Sequence, residues 1–349
     1  MRRINFTFFI LAVFVFTAAL LLSFFKETNW FAHTFHTNMM RTAGDSATKG
    51  MNKAEGAVLY QFMGRPASAV RRSFGQPQRI DLTNYGYSWY IYGIGTSKYM
   101  QFGIDSGSGK VSTIYATGQA IDTSPYPIGM AWSVANQRAQ FSNVVSVSGA
   151  TFSARFELSA ADKLSRPLIM FNGNWVQLNF DSQTGRLVAV RLMTSRVLAA
   201  SHPYSVIYSG KLPSVRQLDS DRQQQADSGA DQEIYAISNV FRLMYGRQPL
   251  AWSEAAHAMA YQHSKEMHDR HYFSHDSKWS GDFKNRLEQA KIAYQVAGEN
   301  IAAHYPDAPA VCLGWLNSPE HRENLLNTAF TELGVGTYLL YYTQDFVHP

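Results

Sequence analysis

The chain has only one cysteine, Cys312, among its 349 residues, so an intrachain disulfide is excluded. Cys312 lies in the apolar stretch PAVCLGWL, where no neighbouring residue would lower the pKa of its thiol, and we interpret it as a core residue. The patterns H-E-x-x-H, C-x-x-C and G-x-S-x-G are also absent, which excludes the common zinc-protease and serine-hydrolase signatures.

Charged residues are few, at 16%, and no run of basic residues is longer than two. From residue 233 onward there are 9 basic and 13 acidic residues, a net −4, whereas the earlier part has 22 against 13, a net +9. We interpret the basic part as a scattered solvated surface, with an anionic membrane or wall polymer as the alternative partner. We expect no nucleic-acid partner.

One long uncharged run, residues 4–25, can cross a bilayer, which takes about 20 apolar residues. Arg2 and Arg3 precede it, so the positive-inside rule predicts a cytoplasmic N-terminus. The run exceeds the core of a signal peptide, about 7–15 residues, and ends in bulky residues, which favours an uncleaved single-pass anchor at 1–30. Secretion after signal cleavage is the alternative, and either topology places the remaining chain outside the cytoplasm.

Residues 31–56 lack periodicity and are predicted to form a stalk, followed by a β-rich region at 57–208 that contains a repeat. YMQFGIDSGSGKVSTIY (99–115) aligns without gaps on WVQLNFDSQTGRLVAVR (175–191). Alternating apolar residues flank an Asp-Ser…Gly turn in both copies, which predicts two β-hairpins. We therefore predict two similar α+β units at about 57–125 and 126–208.

The segment DSGSGKVS resembles a phosphate-binding loop but fails its pattern twice. The position that needs the first glycine is Ile104, and Val111 stands where Ser or Thr is required. The second copy reads DSQTGRLV, so the segment is interpreted as a turn used twice, and nucleotide binding is not expected.

Residues 209–232 are rich in Gln, Asp and Ser and are predicted to be a linker. Helical spacing of apolar residues resumes in EIYAISNVFRLMYG, and SEAAHAMAYQHSKEMHDRHY predicts a second helix with Ser253 as N-cap. DAPAVCLGWLNS predicts a third helix, and SPEHRENLLN a short fourth one that starts at Pro319. The alternating segment ELGVGTYLLYYTQDFVHP predicts paired strands.

Five blocks in order across residues 233–349 resemble the CAP superfamily (cysteine-rich secretory proteins, antigen 5 and pathogenesis-related 1), in its bacterial branch. They are NVFRLMYGRQPLAW, HSKEMHDRHYFSH, AGENIA, WLNSPEHRENLLN and ELGVGTYLLYYTQDF. The region before them, with GQPQRIDLTNYGYSWYIYG and the two hairpins, resembles the CAP-associated N-terminal domain. The resemblance implies an α+β protein whose C-terminal domain is an α-β-α sandwich with a shallow cleft.

The resemblance also implies site residues, taken over motif by motif: FSH supplies His275, GEN supplies Glu299 and PEHR supplies His321. In some family members such residues hold a divalent metal, and two imidazoles with a carboxylate are a common Zn²⁺ ligand set. In the fuller eukaryotic pattern an acid stands three positions after the tryptophan, where this chain has Ser318. We therefore expect any Zn²⁺ or other divalent metal at His275 and His321 to be held only weakly, and the alternative is that the protein has no cofactor.

The stretch RHYFSHDS contains His271 and His275 four residues apart, a spacing that places two imidazoles on one face of a helix. The second predicted helix ends in this stretch, and the family motif assigns only His275. We interpret His271 as a helix-end residue whose partial positive charge suits the helix dipole.

Two functions from different classes fit these residues. The first is a binding or scaffolding module at the cell envelope, anchored through residues 4–25, whose cleft engages an envelope ligand or protein. The second is a metal-assisted, peptidase-like hydrolase with a water on His275 and His321 and Glu299 as base. Other relatives imply lipid or sterol binding, for which no residue of this chain is diagnostic.

Overall fold

The computed structural model describes residues 2–4 and 59–349. Apart from Ile4, the predicted anchor at residues 4–25 lies outside the described residues, as does the predicted stalk at 31–56. Within the described ranges, no helix is long and apolar enough to cross a membrane. The described fold therefore comprises a short strand, β1 (Arg2–Ile4), and the chain from Leu59 to Pro349.

The N-terminal domain alternates short helices with antiparallel strands, in agreement with the α+β prediction. After a 3-10 helix at Leu59–Phe62, its elements are α1 (Ala67–Phe74), β2 (Arg79–Leu82), β3 (Tyr87–Tyr92), β4 (Tyr99–Asp105), β5 (Val111–Thr117), α2 (Trp132–Ala139), β6 (Val144–Ser148), β7 (Phe152–Glu157), α3 (Ala160–Ser165), β8 (Leu168–Phe171), β9 (Asn174–Asp181), β10 (Arg186–Met193), α4 (Ser195–Ser201) and β11 (Ser205–Gly210).

Seven of these strands form one antiparallel sheet in the order β2-β3-β4-β5-β10-β9-β8. Both predicted hairpins are confirmed, because β4 pairs with β5 and β9 pairs with β10. In the two turns, Asp105 and Asp181 accept hydrogen bonds from the backbone N–H groups of the residues that follow them. The two copies join where β5 pairs with β10, so they share one sheet.

A second, four-stranded sheet has the order β1-β11-β7-β6. Strands β6 and β7 alternate between buried and exposed residues, as expected for a sheet with one solvated face. The buried side chains of β7 belong to a core cluster that also contains Trp89 of the first sheet and Trp315 of the C-terminal domain. One hydrophobic core therefore extends through both domains.

The C-terminal domain contains five helices and four strands within the described residues. They are α5 (Ser220–Met244), β12 (Ala251–Trp252), α6 (Glu254–Asp269), α7 (Phe283–Gln289), β13 (Val296–Ala303), α8 (Ala308–Asn317), α9 (Pro319–Leu326), β14 (Glu332–Tyr338) and β15 (Tyr341–His348).

This domain is a three-layer α-β-α sandwich around a sheet with the order β12-β14-β15-β13. Ser264 of α6 shares a hydrogen bond with Thr343 of β15, whereas the next residue of β15, Gln344, donates to Ser238 of α5. Successive side chains of a strand point to opposite faces, so α6 and α5 cover opposite sides of the sheet. Strand β13 is left at the edge of the sheet.

The predicted linker at 209–232 is wrong from Ser220 onward, because α5 begins there and continues to Met244. Asp219 caps the helix by accepting a hydrogen bond from the backbone N–H of Arg222, at 2.9 Å. The first half of this helix is packed rather than solvated: Ala226, Asp227, Gly229 and Asp231 are all buried.

Polar contacts explain why the apolar pattern failed to predict this part of α5. Gln223 accepts a hydrogen bond from Asn84 of the N-terminal domain, at 2.9 Å, and a Cβ added at Gly229 would lie 3.0 Å from the Cβ of Asp81. A helix face that packs through amides, carboxylates and glycine has no apolar periodicity, and periodicity was the signal used for prediction.

Two ion pairs join the domains. Arg322 donates to Asp181 at 3.0 Å, and Arg191 lies 2.6 Å from the carboxylate of Asp307. Tyr245 also donates to Asp181. Burial alone would raise the pKa of Asp181, but the hydrogen bonds it accepts outweigh burial and lower that pKa. Asp181 is therefore ionised at neutral pH and links the second hairpin to the C-terminal domain.

The substitution Asp181→Ala tests this link, because it leaves the charge of Arg322 without its buried partner. We expect the free energy of unfolding to fall by about 3 kcal/mol, the loss typical of breaking a buried pair. Urea unfolding of the purified protein measures it.

Asp105→Ala is the matched control, since Asp105 closes the same turn in the first repeat without an interdomain partner. We expect a loss of about 1 kcal/mol for its local hydrogen bonds. Equal losses in the two variants would contradict a specific role of Asp181 between the domains.

Candidate functional site

Glu299 is the centre of a polar site at the edge strand β13. Its side chain is only 2% exposed, and both carboxylate oxygens have partners. His275 Nδ1 lies 2.8 Å from Oε1, and Arg286 donates to Oε2 at 2.5 Å. The structure thus brings the predicted pair His275 and Glu299 into direct contact and adds an arginine that the sequence motifs did not indicate.

These contacts decide the charge of Glu299. Burial alone would raise the pKa of its carboxyl, but the hydrogen bond from His275 and the charge of Arg286 outweigh burial and hold that pKa below its usual range. Asp345 pairs with Glu299 across β13 and β15 and is fully buried. Burial and the adjacent Glu299 raise the pKa of Asp345 far above its usual range, so one carboxyl of the two is ionised and the other is neutral.

Arg286 is held by the short helix α7, which starts with a capping box between Asp282 and Asn285. Its side chain is 4% exposed and also donates to the carbonyl of His275, at 2.7 Å. Arg286 therefore fixes both the side chain of Glu299 and the backbone of His275. Sequence reasoning missed it, because nothing in FKNRLEQ distinguishes a buried arginine from a surface one.

Two residues of α6 position the loop that carries His275. His263 is buried and donates through Nε2 to the carbonyl of Ser274, at 3.1 Å. Burial lowers the pKa of His263 to about 4, so it is neutral at pH 7. One turn away, Glu266 accepts hydrogen bonds from Ser277 and Ser280. In the sequence, His263 and Glu266 are marked only by their place in the family block HSKEMHDRHYFSH, and that block does not assign a role to either residue.

His321 reaches the site from α9, on the other side of β13. Asn300 Nδ2 donates to the carbonyl of His321 at 3.0 Å, so the residue after Glu299 positions this histidine through its backbone. Burial, and then the proximity of His275, lower the pKa of His321 to about 4. Within the described part of the chain its ring nitrogens make no hydrogen bond, so it is a neutral imidazole near His275 and not bonded to Glu299.

The remaining predicted residues lie outside this group. His271 follows the end of α6 and adopts a left-handed backbone conformation with φ 55°, consistent with a helix-end residue. Ser318 and Glu320 belong to the start of α9, where they share a hydrogen bond of 3.3 Å on the surface. Arg322 pairs with Asp181 at the domain boundary rather than with the site.

The side chains of His275, Glu299 and His321 are not arranged as a three-residue metal site. Among the described residues, no three His, Cys, Asp or Glu side chains are grouped so that they could hold a metal ion. Both oxygens of Glu299 are already bonded, and the guanidinium of Arg286 places a positive charge where a cation would bind. Glu299 is arranged to orient His275, as carboxylates behind metal-binding histidines do, and not to coordinate directly.

The geometry also determines which atoms face a ligand. Because the ionised Glu299 can only accept, Nδ1 of His275 carries a proton, and Nε2 makes no hydrogen bond among the described residues. The His275 side chain is 52% exposed, so this nitrogen is accessible. The arrangement presents the exposed His275 ring and the neutral imidazole of His321 near a carboxylate whose charge Arg286 compensates.

Comparisons with known proteins agree with this architecture. A CAP-associated N-terminal model matches residues 63–204, and a model of the cysteine-rich secretory protein family matches residues 235–347. The uncharacterized membrane protein YlbC of Bacillus subtilis is 36% identical over 289 residues, which cover 83% of this chain and 83% of that protein.

Two crystal structures share the fold. An extracellular protein containing a SCP domain from Bacillus anthracis has a TM-score of 0.80 at 34% identity, over 90% of this chain and 100% of that chain. A cysteine-rich secretory protein from Staphylococcus aureus has a TM-score of 0.73 at 22% identity, over 84% of this chain and 94% of that chain, a likeness of fold alone. The predicted resemblance is confirmed: the chain belongs to the cysteine-rich secretory protein (CAP) family and carries a CAP-associated N-terminal domain ahead of its CAP domain.

Proposed function

We propose that this protein is a membrane-anchored, extracytoplasmic binding module of the cell envelope, and that its cleft (His275, Glu299 and His321) holds an envelope ligand. The anchor is assigned to residues 4–25 by their length and by the flanking arginines. Relatives described as a membrane protein and as an extracellular protein support this location.

The observation that carries the proposal is that both carboxylate oxygens of Glu299 already have hydrogen-bond partners within the protein. A general base works best when its pKa lies near the working pH, whereas Arg286 and His275 hold the pKa of Glu299 below its usual range. An ionised carboxylate with both oxygens bonded is suited to orient His275. A rigid, pre-organised cleft of this kind favours binding over proton abstraction.

The groups around the cleft favour a hydroxyl-rich ligand, such as the glycan of the cell wall. His275 Nε2 and the neutral His321 can exchange hydrogen bonds with hydroxyl groups, and neither requires a charged ligand. Trp279 lies four residues after His275 on the same loop, is 54% exposed and packs against Tyr272 at 5.6 Å between ring centroids. An exposed, supported indole is a flat apolar surface on which a sugar ring can stack.

Retention on purified peptidoglycan tests the cleft. We expect His275→Ala and His321→Ala each to weaken retention about tenfold, because each removes a hydrogen bond inside a partly desolvated site. A co-sedimentation titration measures the apparent affinity.

His271→Ala is the matched control, a histidine four residues from His275 that lies outside the cleft. It should bind like the unmodified protein. Equal losses in the His271 and His275 variants, or unchanged retention in both cleft variants, would contradict a binding role for the cleft.

The second candidate is a metal-assisted hydrolase that uses His275 and His321, with Glu299 as base. The observation in its favour is that His275 Nε2 is free and His321 is neutral, both of which a metal ligand requires. We predict less than one zinc per chain after purification without chelators, measured by plasma mass spectrometry. Stoichiometric zinc that is lost in both His→Ala variants, together with a zinc-dependent hydrolytic activity, would overturn the binding proposal.

The proposed topology is testable because the one cysteine of the chain, Cys312, is buried. Lys278→Cys introduces an exposed thiol on the CAP domain, and a membrane-impermeant maleimide should label it in intact cells that lack an outer membrane. The unmodified protein, with Cys312 buried, is the control and should remain unlabelled. Labelling only after permeabilisation would refute the topology, and a shortened labelled chain in the medium would indicate secretion after cleavage.

A further inference from the structure

A cavity of about 510 Å³ lies between the two domains and shares no lining residue with the cleft. Its walls come from residues 82–89 of the N-terminal domain, the first half of α5 and the turn between β14 and β15. Ligand sites typically measure about 300–1,000 Å³ and occur preferentially at domain boundaries. We refer to it as the interdomain cavity.

Aromatic side chains line much of this cavity. Trp89 and Tyr342 are buried in its wall, and Tyr85 lies beside them. The hydroxyl of Tyr85 donates to the carbonyl of Pro306, and that of Tyr342 donates to the carbonyl of Tyr305, each at 2.9 Å. Because these hydroxyls are satisfied by backbone groups, the rings themselves form the lining, which suits an apolar body or a cation over a ring face.

Two buried carboxyls of α5, Asp227 and Glu233, also line the cavity, and neither forms an ion pair with a lysine or arginine among the described residues. Burial and the nearby Asp81 raise the pKa of Glu233 well above its usual range despite the charge of Arg79, so Glu233 is neutral at pH 7 and Asp227 is the carboxyl available to a cation. Asp227 accepts hydrogen bonds from Gln223 and from the backbone N–H of Leu339. Glu233 accepts one from Gln101, at 2.9 Å. Within the described part of the chain, no lysine or arginine lines the cavity.

Other buried carboxyls near this boundary do have guanidinium partners. Asp81 pairs with Arg79 at 2.7 Å, and Asp307, which lines the same cavity, pairs with Arg191 at 2.6 Å. An ionised carboxylate in an apolar site is costly unless a cation compensates it. Among the described residues, Asp227 accepts hydrogen bonds from an amide side chain and a backbone N–H but has no guanidinium partner of this kind.

We propose that the interdomain cavity binds an organic ammonium ion, an alkylamine whose apolar body packs on Trp89, Tyr85 and Tyr342 and whose charged end pairs with Asp227. Charge complementarity selects this occupant over a neutral or anionic one of the same shape. The site is independent of the cleft, so its test is independent of the proposed function.

Titration with three isosteric probes tests the charge requirement. The full-length chain in detergent is titrated with 4-phenylbutylamine, 4-phenylbutanol and 4-phenylbutyrate, and affinity is measured by calorimetry and by the shift in melting temperature. We expect the amine to bind at least tenfold more tightly than the alcohol, and the acid to bind weakest. Equal affinities for amine and alcohol, or no binding of the amine, would overturn the proposal.

Substitutions then locate the binding. Asp227→Asn removes the charge of this carboxyl, and we expect it to weaken amine binding about tenfold, whereas Glu323→Gln, at an exposed position outside the cavity, should not. Leu340→Trp should narrow the mouth and weaken all probes, since Leu340 is 43% exposed and lines the cavity. Val134→Trp, at a residue 46% exposed elsewhere, is its control. Unchanged binding in both cavity variants, Asp227→Asn and Leu340→Trp, would refute this location.

The pH dependence provides a separate readout. Burial raises the pKa of Asp227 to about 6, so its carboxyl loses its charge as the pH falls through that value. The charged or titratable neighbours of Asp227 are Asp231 on α5, His268 and Tyr261 on α6 and Tyr342 on β15, with Glu233, Asp307 and His304 elsewhere in the lining. Protonation of any of these makes the site less attractive to a cation.

Amine affinity should therefore fall several-fold between pH 7.5 and pH 5, while an alkylamine, with a pKa of about 10, stays charged. Binding of 4-phenylbutanol should not change over this range, and an equal pH dependence of amine and alcohol would count against pairing with a carboxylate. A parallel titration with Nα-acetyl-lysine amide distinguishes a lysine-type side chain of a peptide from a free lipophilic amine as the source of the ammonium group.

Discussion

A buried carboxyl that stays ionised in this protein has a nearby guanidinium or several hydrogen-bond donors, and this electrostatic constraint organises both the site and the domain boundary. Arg286 meets the requirement for Glu299, Arg322 for Asp181 and Arg191 for Asp307. Each of these arginines comes from a different element than its partner. The ion pairs therefore fix the relative positions of helices, strands and domains that hydrophobic packing alone would leave free to slide.

The cleft and the interdomain cavity differ in how this constraint is met. At the cleft, Arg286 compensates Glu299, so the groups left for a ligand are the imidazoles of His275 and His321. In the interdomain cavity, Asp227 accepts hydrogen bonds from Gln223 and Leu339 and forms no ion pair with a lysine or arginine among the described residues. The same physical rule therefore favours a neutral, hydroxyl-rich ligand at the first site and an ammonium ion at the second.

The two hairpins of the internal repeat have the same structure but make different contacts. Asp105 and Asp181 close equivalent turns, yet only Asp181 also binds Arg322 and Tyr245 of the CAP domain. Gln101 and Gln177 are likewise equivalent, but Gln101 donates to Glu233 of α5 and Gln177 donates to Tyr204 within its own domain. The repeat supplies the sheet, and its divergent contacts attach the CAP domain to it.

Local sequence patterns determined much of this protein: the two hairpins, α6, α8, α9 and the final strand pair follow from turn residues, caps and periodicity. Family motifs indicated His275 and Glu299, which the fold brings into contact across 24 residues. Only the tertiary structure assigned Arg286 and His263 to the site and extended α5 back to Ser220. The physical reason is the same in each case. An arginine, a histidine or a polar helix face is buried because a partner distant in sequence satisfies it, and a local pattern contains no information about that partner.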